Sequence, residues 1–460
     1  MQIEFGTDGV RGIAGEYLTV EVALRIGQAA AKVLGLCEKE SAKVFIGQDT
    51  RQSGDMLGHG LAAGLSSMGV NVEFLGVVPT PAVAYLASYY KMDAGIMISA
   101  SHNPAEYNGI KLFGSTGFKI SDEAEREIEK LVNSGEPIGP EAVGVNMGNI
   151  RQNDEAVRTY THFVANVYGD DLHWKKHDET EDRGRIRVLV DCANGSASRT
   201  AADIFHQLPV YVEFIHMSPD GENINLHCGS LHVEDLGRQV VAGKFDLGIA
   251  FDGDADRIQI VDEKGQLVDG DQLLAVFAGD MKRKNALQQN VIVGTVMSNL
   301  GLFHFGRDHG IQVVATKVGD RFVLEEMEAK GYNLGGEQSG HIILRDYHTT
   351  GDGQLAAARF LRIFAEQEKE VSELVGEMHK YPQILENLHV SPEGKEALKT
   401  SKPVQDCIMQ WESTLGDRGR VLVRKSGTEP LIRVMAEGED LSEIRECVDG
   451  ICKVIKENLC

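Results

Sequence analysis

Short apolar runs alternate with longer amphipathic stretches along most of this chain. Runs at 43–47, 71–76, 95–99, 186–190, 210–215, 247–251 and 291–294 are rich in β-branched and aromatic residues and predict strands. Between them apolar residues recur at helical spacing. In 121–132, Ser121 can cap a helix and Asp122 and Glu123 suit its positive end. Ile128, Leu131 and Val132 there share one face. Repeated strand–helix alternation argues for α/β layers with mixed or parallel sheets.

The pattern repeats weakly. KVFIGQDTRQSG, RVLVDCANGSAS and NVIVGTVMSNLG each run from a polar residue through an apolar stretch into a Gly-bearing turn. DAGIMISASHN (93–103) matches DLGIAFDGDAD (246–256), with NLGGEQSGH (333–341) as a more distant copy. Three related α/β units are therefore expected, each presenting a loop after an equivalent strand. After Glu366 comes a charged stretch and an expected hinge near Tyr381 and Pro382. Beyond it lie a strand at 420–424, a turn at 426–430, a strand at 431–436 and a helix whose Leu441, Ile444, Val448, Ile451 and Ile455 repeat at three and four residues. The expected domains are 1–150, 151–253 and 254–370, all α/β, and a smaller C-terminal α+β domain at 371–460.

A length of 460 residues suits several cores. The formal net charge of −23 disfavours nucleic acid and anionic membrane as partners. It also repels phosphorylated ligands, so any phosphate site must be built locally from Arg, Lys, backbone N–H groups and metal. Seven Cys, an odd number without CxxC, read as reduced thiols of a cytoplasmic protein. Neither a signal peptide nor an apolar stretch of about 18 residues is expected.

Four loops carry chemistry. I-S-A-S-H-N-P (98–104) follows an apolar strand, where α/β proteins place ligands, and Ser101 can act as nucleophile or phosphoryl carrier. A strand-ending turn reads equally well there. A hydrolase pairing of Ser101 with His102 is disfavoured, because neighbouring side chains on an extended loop point apart. F-D-G-D-A-D-R (251–257) sets Asp252, Asp254 and Asp256 at alternate positions, a density of carboxylates that suits Mg²⁺. A calcium loop is the rival, with Asp252, Asp254, Asp256 and Glu263 at fitting spacing, but Arg257 stands where its turn needs Gly and the flanks are strand-like. N-L-G-G-E-Q-S-G-H (333–341) offers Glu337, Ser339 and His341 for sugar hydroxyls and amines, although alone it reads as a surface loop. R-K-S-G-T-E-P-L-I-R (424–433) combines Ser426, Gly427 and Thr428 with Arg424, Lys425 and Arg433, an anion nest with cationic flanks.

Together with E-F-G-T-D-G-V-R-G (4–12), N-G-I-K (108–111) and T-K-V-G-D-R-F (316–322), these segments, in order, resemble the α-D-phosphohexomutase superfamily, its glucosamine-phosphate branch in particular. The resemblance spans residues 4 to 433. It implies a fold of three α/β domains and a smaller C-terminal domain around a central cleft.

The resemblance also implies roles. Ser101 would be the phosphoserine, and Asp252, Asp254 and Asp256 would bind one Mg²⁺ with a phosphate oxygen on Ser101. Lys111 and His341 would be general acid/base candidates, and Arg11 and Arg257 would stabilise the transferring group. Glu337 and Ser339 would hold sugar hydroxyls. Arg424, Ser426, Gly427, Thr428 and Arg433 would grip the non-reacting phosphate. The implied reaction interconverts glucosamine 6-phosphate and glucosamine 1-phosphate, with glucosamine or glucose 1,6-bisphosphate as intermediate or activator. It would serve UDP-N-acetylglucosamine and cell wall precursor synthesis. Glucose and mannose phosphates are the alternative substrates, and a metal-dependent sugar phosphatase or a non-catalytic sensor are weaker readings. A phosphosugar is the expected partner, and a homodimer is left open. Ala255 stands where many relatives carry Gly, and is expected to be tolerated.

Overall fold

Three sheets repeat one strand order, and each delivers a loop to the same relative place. The computed structural model describes residues 2–6, 8–139, 142–169, 186–367, 369–425 and 431–459. In the first sheet Lys43–Gln48 lies between Asn71–Val77 and Ala94–Ile98, parallel to both, and Ala94–Ile98 turns back antiparallel into Tyr107–Gly114. In the second, Ile186–Asp191 lies between Val210–Ile215 and Leu247–Phe251, parallel to both, and Leu247–Phe251 turns back into Ile258–Asp262. In the third, Val291–Thr295 neighbours Gln312–Thr316 and runs parallel to Leu334–Gly336, which turns back into Ile342–Leu344. The weak sequence repeat thus reports a real structural repeat. The loops at 99–106, 252–257 and 337–341 are its equivalent connections.

The strands predicted from periodicity form within a residue or two of their expected bounds. Two additions lengthen the sheets. Val10–Ile13 joins Tyr107–Gly114 antiparallel, and Ile150–Gln152 joins Asn71–Val77 in parallel. The boundary expected between residues 253 and 254 falls inside the hairpin of Leu247–Phe251 and Ile258–Asp262, and that sheet continues to Leu267–Val268. Backbone pairing across the turn makes a domain division there unworkable.

Burial follows the apolar periodicity. Val44, Ile46, Val72, Ile96 and Ile98 pack with Ile26, Ala30, Leu57, Leu61 and Leu65 from the helices Val20–Val33 and Gly54–Ser67. At about 25 cal/mol per Å² of apolar surface, each fully buried Leu, Ile or Val adds about 1.5–3 kcal/mol. The helix Asp122–Asn133 starts as expected, with the Ala124 N–H donating to Ser121 Oγ, and buries Ile128 and Val132.

The chain divides into two compact units, one of residues 1–296 and 314–376, the other of 297–313 and 377–460. The second holds the antiparallel sheet Gln383–His389, Leu431–Gly438, Gly419–Lys425, with the helix Leu441–Leu459 against it. Ile444, Val448, Ile451 and Ile455 are buried as predicted, but Leu441 is 58% exposed. It stands at the first helical residue, before the helix reaches the core. Tyr381, near the expected hinge, lies within this unit: Asn299 accepts from the Tyr381 N–H and donates to its carbonyl, both at 3.0 Å. Among the described residues no helix is long and apolar enough to cross a membrane.

Candidate active site

Ser101 is built into place from beneath. Asp49 ends the strand Lys43–Gln48 and accepts Arg51 Nε at 2.9 Å and Ser99 Oγ at 2.6 Å. Ser99 Oγ in turn accepts the Ser101 N–H at 2.9 Å. The buried Arg51 guanidinium then donates to four loop carbonyls: Ser101 at 3.0 Å, Asn103 at 2.8 Å, Tyr107 at 3.0 Å, and Pro104. Asn225 Nδ2 adds a bond to the Ser101 carbonyl at 2.9 Å. These contacts hold Ser101 at φ 53°, left-handed, a conformation costing about 1–2 kcal/mol for a residue with Cβ. Gly253 fits against the same carbonyl, and a Cβ there would lie 2.5 Å from it.

That backbone turn overturns one expectation. The loop is not extended at Ser101, so the two side chains do not point apart, and His102 Nδ1 lies 3.2 Å from Ser101 Oγ. Burial, then Arg257 and Arg11, lower the His102 pKa to about 4, which keeps the ring neutral.

The Ser101 hydroxyl donates to Asp252 Oδ2 at 2.6 Å, and Asp252, Asp254 and Asp256 offer carboxylate oxygens within 4.8 Å of one another. All three are buried. Burial, with Asp256 and Asp254 alongside, pushes the Asp252 carboxyl well above the usual carboxylate range. Oδ1 of Asp254 and of Asp256 are buried without a hydrogen-bond partner. Clustered, desolvated, unsatisfied carboxylate oxygens fit a hard divalent cation of the Mg²⁺ kind. Ala255 takes φ 54°, a left-handed conformation that Gly adopts most readily.

Around the carboxylates runs a ring of ionic and polar partners. Lys111, 1% exposed on Tyr107–Gly114, reaches Asp254 at 2.7 Å, Asp8 at 2.9 Å and Asp256 at 3.5 Å. Asp8 and Asp320 each meet Lys119 at 2.6 Å. His341 joins these partners, 3.9 Å from Asp320 and 3.7 Å from Asp256. Burial opposes the Lys111 charge, but Asp254, Asp8 and Asp256 outweigh it and hold the ammonium protonated far above its ordinary range. Burial likewise opposes charge on His341, while Asp256, Asp320 and Glu337 raise its proton affinity. The Gly351 N–H aimed at Nε2 from 3.1 Å favours the neutral tautomer with its proton on Nδ1, toward Asp256.

Arg11 ion-pairs with Asp8, yet its Nε and that of Arg257 are buried without hydrogen-bond partners. Two guanidinium donors left unsatisfied beside Ser101 and the Asp triad suit the oxygens of a transferring phosphoryl group. Glu337 and His341 come from the third sheet's connection, where Gly340, at φ 94°, has room for no Cβ: one would stand 1.9 Å from the Ile258 carbonyl. Glu337 Oε1 accepts the Gly319 N–H at 3.0 Å, and Ser339 is exposed.

The sequence reading did not assign Asp8, Lys119, Asp320, Arg51 or His102. Asp8 and Asp320 stand inside segments it used, E-F-G-T-D-G-V-R-G and T-K-V-G-D-R-F, and a charged residue in a Gly-bearing loop was the available signal. In the C-terminal unit Arg424 pairs across the sheet with Arg433. Burial and then Arg433 lower the Arg424 pKa, and its Nε is buried without a hydrogen-bond partner. Ser426, Gly427 and Thr428 lie outside the described residues.

Comparison with known proteins gives the family. Models of the phosphoglucomutase/phosphomannomutase family match in order: alpha/beta/alpha domain I at 2–138, domain II at 159–265, domain III at 269–381 and the C-terminal domain at 385–454. A phosphoglucosamine mutase of Clostridium acetobutylicum is 48% identical over 453 residues, 98% of each chain. The crystal structure of a phosphoglucomutase/phosphomannomutase family protein from Burkholderia thailandensis superposes with a TM-score of 0.81 at 25% identity, covering 100% of this chain and 98% of that one. An Aspergillus fumigatus N-acetylphosphoglucosamine mutase, solved with GlcNAc-6P and magnesium, shares the fold with a TM-score of 0.68 at 18% identity, covering 100% of this chain and 96% of that one. The chain belongs to the phosphoglucomutase/phosphomannomutase family of phosphohexomutases, alongside its phosphoglucosamine mutases, and is an enzyme of the phosphoryl-moving isomerase class.

Proposed function

We propose that this enzyme interconverts glucosamine 6-phosphate and glucosamine 1-phosphate, with Ser101 as the phosphoryl carrier. The observation that carries the reading is the buried Ser101 hydroxyl, 2.6 Å from Asp252 within the Asp triad, together with the buried Nε atoms of Arg11 and Arg257 that make no hydrogen bond. The identity to phosphoglucosamine mutases supports the amino sugar over glucose or mannose.

Phosphorylated Ser101 meets the free hydroxyl of the hexose monophosphate. The bond from phosphorus to Ser101 Oγ breaks and a bond to the sugar oxygen forms; the sugar hydroxyl proton passes to the site, with Lys111 and His341 as its acid/base candidates, and a proton from the site returns to Oγ, which leaves as the serine hydroxyl. The bisphosphate then turns over, and its other phosphoryl returns to Ser101. Arg11 and Arg257 hold the equatorial oxygens, where charge spreads in a loose transition state. The Lys111 ammonium supplies a fixed positive charge and a donor. Glu337 and Ser339 orient the sugar, and Arg424 and Arg433, with Ser426, Gly427 and Thr428, grip the phosphate that does not react. Asp252, Asp254 and Asp256 would hold Mg²⁺, which supplies charge neutralisation to a phosphoryl oxygen. Magnesium in the Aspergillus relative supports that choice. Six described cysteines are free thiols, which suits the reducing cytoplasm.

A coupled assay offering glucosamine, glucose and mannose 6-phosphates side by side tests the substrate. Preference for glucose or mannose phosphate overturns the amino-sugar assignment. Peptide mass spectrometry tests the carrier, with phosphate expected on Ser101.

A further inference from the structure

A second cluster of metal-binding groups lies outside the ring of partners around the Asp triad. Asp191 ends the strand Ile186–Asp191, His216 follows Val210–Ile215, and Cys228 sits in the segment that returns toward the sheet. One ligand atom from each lies within 4.8 Å of the others. Asp191 and Cys228 are buried, and His216 is half-buried, which leaves a route for an ion to enter. His216 Nδ1 stands 3.0 Å from Asp191 Oδ1, an ion-pair contact off the line of a well-directed hydrogen bond.

We propose that Asp191, His216 and Cys228 form a zinc site. The donors are one oxygen, one nitrogen and one sulfur, the set Zn²⁺ takes in tetrahedral geometry, with a fourth position left for water. A carboxylate and a thiolate cancel the ion's two charges. Thiolate and imidazole select Zn²⁺ over Mg²⁺, whereas the all-oxygen Asp triad selects Mg²⁺, so one chain sorts two metals by ligand chemistry. The carboxylate is already braced: the Ala193 N–H donates to Asp191 Oδ1 and the Gly229 N–H to Oδ2, both at 2.8 Å. Such bonds to a ligating group are what a working metal site requires.

The site reaches the catalytic serine through three residues of chain. Asn225 precedes Cys228 by three positions, takes its backbone support from the Ala193 carbonyl at 2.9 Å, and donates to the carbonyls of Ser101 and Asn103 at 2.9 and 3.2 Å. Just past Cys228, the Ser230 N–H donates to the Phe251 carbonyl at the root of the Asp triad loop. Zinc thus staples two strand ends to the segment that supports Ser101, and acts by position rather than on the substrate.

The test uses the full chain with Mg²⁺ in excess. After dialysis against trace Zn²⁺, metal analysis should find one zinc per chain. Co²⁺ in its place should give a thiolate-to-cobalt charge-transfer band in the near ultraviolet and intense tetrahedral visible bands. Cobalt at the all-oxygen triad would give neither. Cys228→Ser should abolish the charge-transfer band and weaken zinc at least the roughly 100-fold that an outer-shell loss can cost. Should Cys228→Ser fail to fold, His216→Asn decides, since Asn tolerates the φ of 48° found at residue 216. Absence of bound zinc in the parent protein, zinc affinity unchanged in His216→Asn, or a band that survives in folded Cys228→Ser, overturns the proposal and leaves only an Asp–His contact beside a buried thiol.

Discussion

Arg51 Nη2 donates to the Ser101 carbonyl at 3.0 Å, so Ser101 is gripped by its backbone from a buried cation 50 residues earlier in the chain. The same guanidinium serves three more loop carbonyls while Asp49 balances its charge. Only a planar fork with five donors can do this, and a lysine in its place has three donors at one point. In a folded Arg51→Lys protein kcat should fall by about 100-fold, the scale of an ångström-size misplacement, while KM stays within about twofold. Steady-state kinetics check this. Unchanged kcat would mean that the loop holds itself.

Asp254→Asn should weaken Mg²⁺ binding and activity together. Oδ2 of Asp254 already receives Lys111 at 2.7 Å and Thr80 at 2.5 Å, which leaves Oδ1 for a cation. The amide removes one of the three charges facing the metal and one of those balancing Lys111. Calorimetric titration of Mg²⁺ and melting curves measure both losses. Equal Mg²⁺ affinity in parent and variant would place the cation elsewhere.

Much of this architecture was readable in one dimension. Strands such as Leu247–Phe251 are local apolar runs ending in chemistry, and period and composition suffice to find them. The ring of partners around the carboxylates is different in kind. Lys119 meets Asp8 across 111 positions and Asp320 across 201, and only the packing of sheets decides which of many acidic residues it meets. His102 was misjudged for a local reason: its approach to Ser101 depends on one left-handed residue that no Gly or Asn announced. Leu441 obeyed the helical period but preceded the core, because periodicity does not say where a helix first touches its sheet.

Stability should fall as pH rises from about 4 to about 7 through Asp352. This residue caps the helix Gly353–Gln367, accepting the Leu355 N–H at 2.9 Å, and both its oxygens accept from Tyr160 Oη at 3.1 Å. Burial, against those hydrogen bonds, raises its pKa to about 7. The folded value stands above the unfolded one, so its stabilising contribution is complete below the unfolded pKa of about 4 and is lost as pH rises through about 7. Asp352→Asn keeps a capping oxygen but cannot ionise. It should therefore raise Tm at pH 8, have far less effect at pH 5, and flatten the profile between. A variant profile parallel to the parent's would show that Asp352 does not titrate in this range.

Arg424 and Arg433 face each other across the sheet of the C-terminal unit, where like charges directly opposed are destabilising. Arg433 in fact helps depress the Arg424 pKa, after burial, so the pair is kept at a cost to the fold. A bound phosphate would offset that cost, since two guanidinium groups can share its oxygens. Arg424→Met retains the apolar stem and removes one charge. Its Tm without ligand should equal or exceed the parent's. Inorganic phosphate should stabilise it less than the parent, and KM for the phosphosugar should rise roughly tenfold or more, the loss of a charge-assisted bond worth about 1.5–3 kcal/mol. The opposite signs matter: a merely structural arginine would lower Tm and leave KM alone. Thermal shift with and without phosphate, read beside steady-state kinetics, separates the two, and a variant that melts lower with unchanged KM would remove Arg424 from the phosphate site.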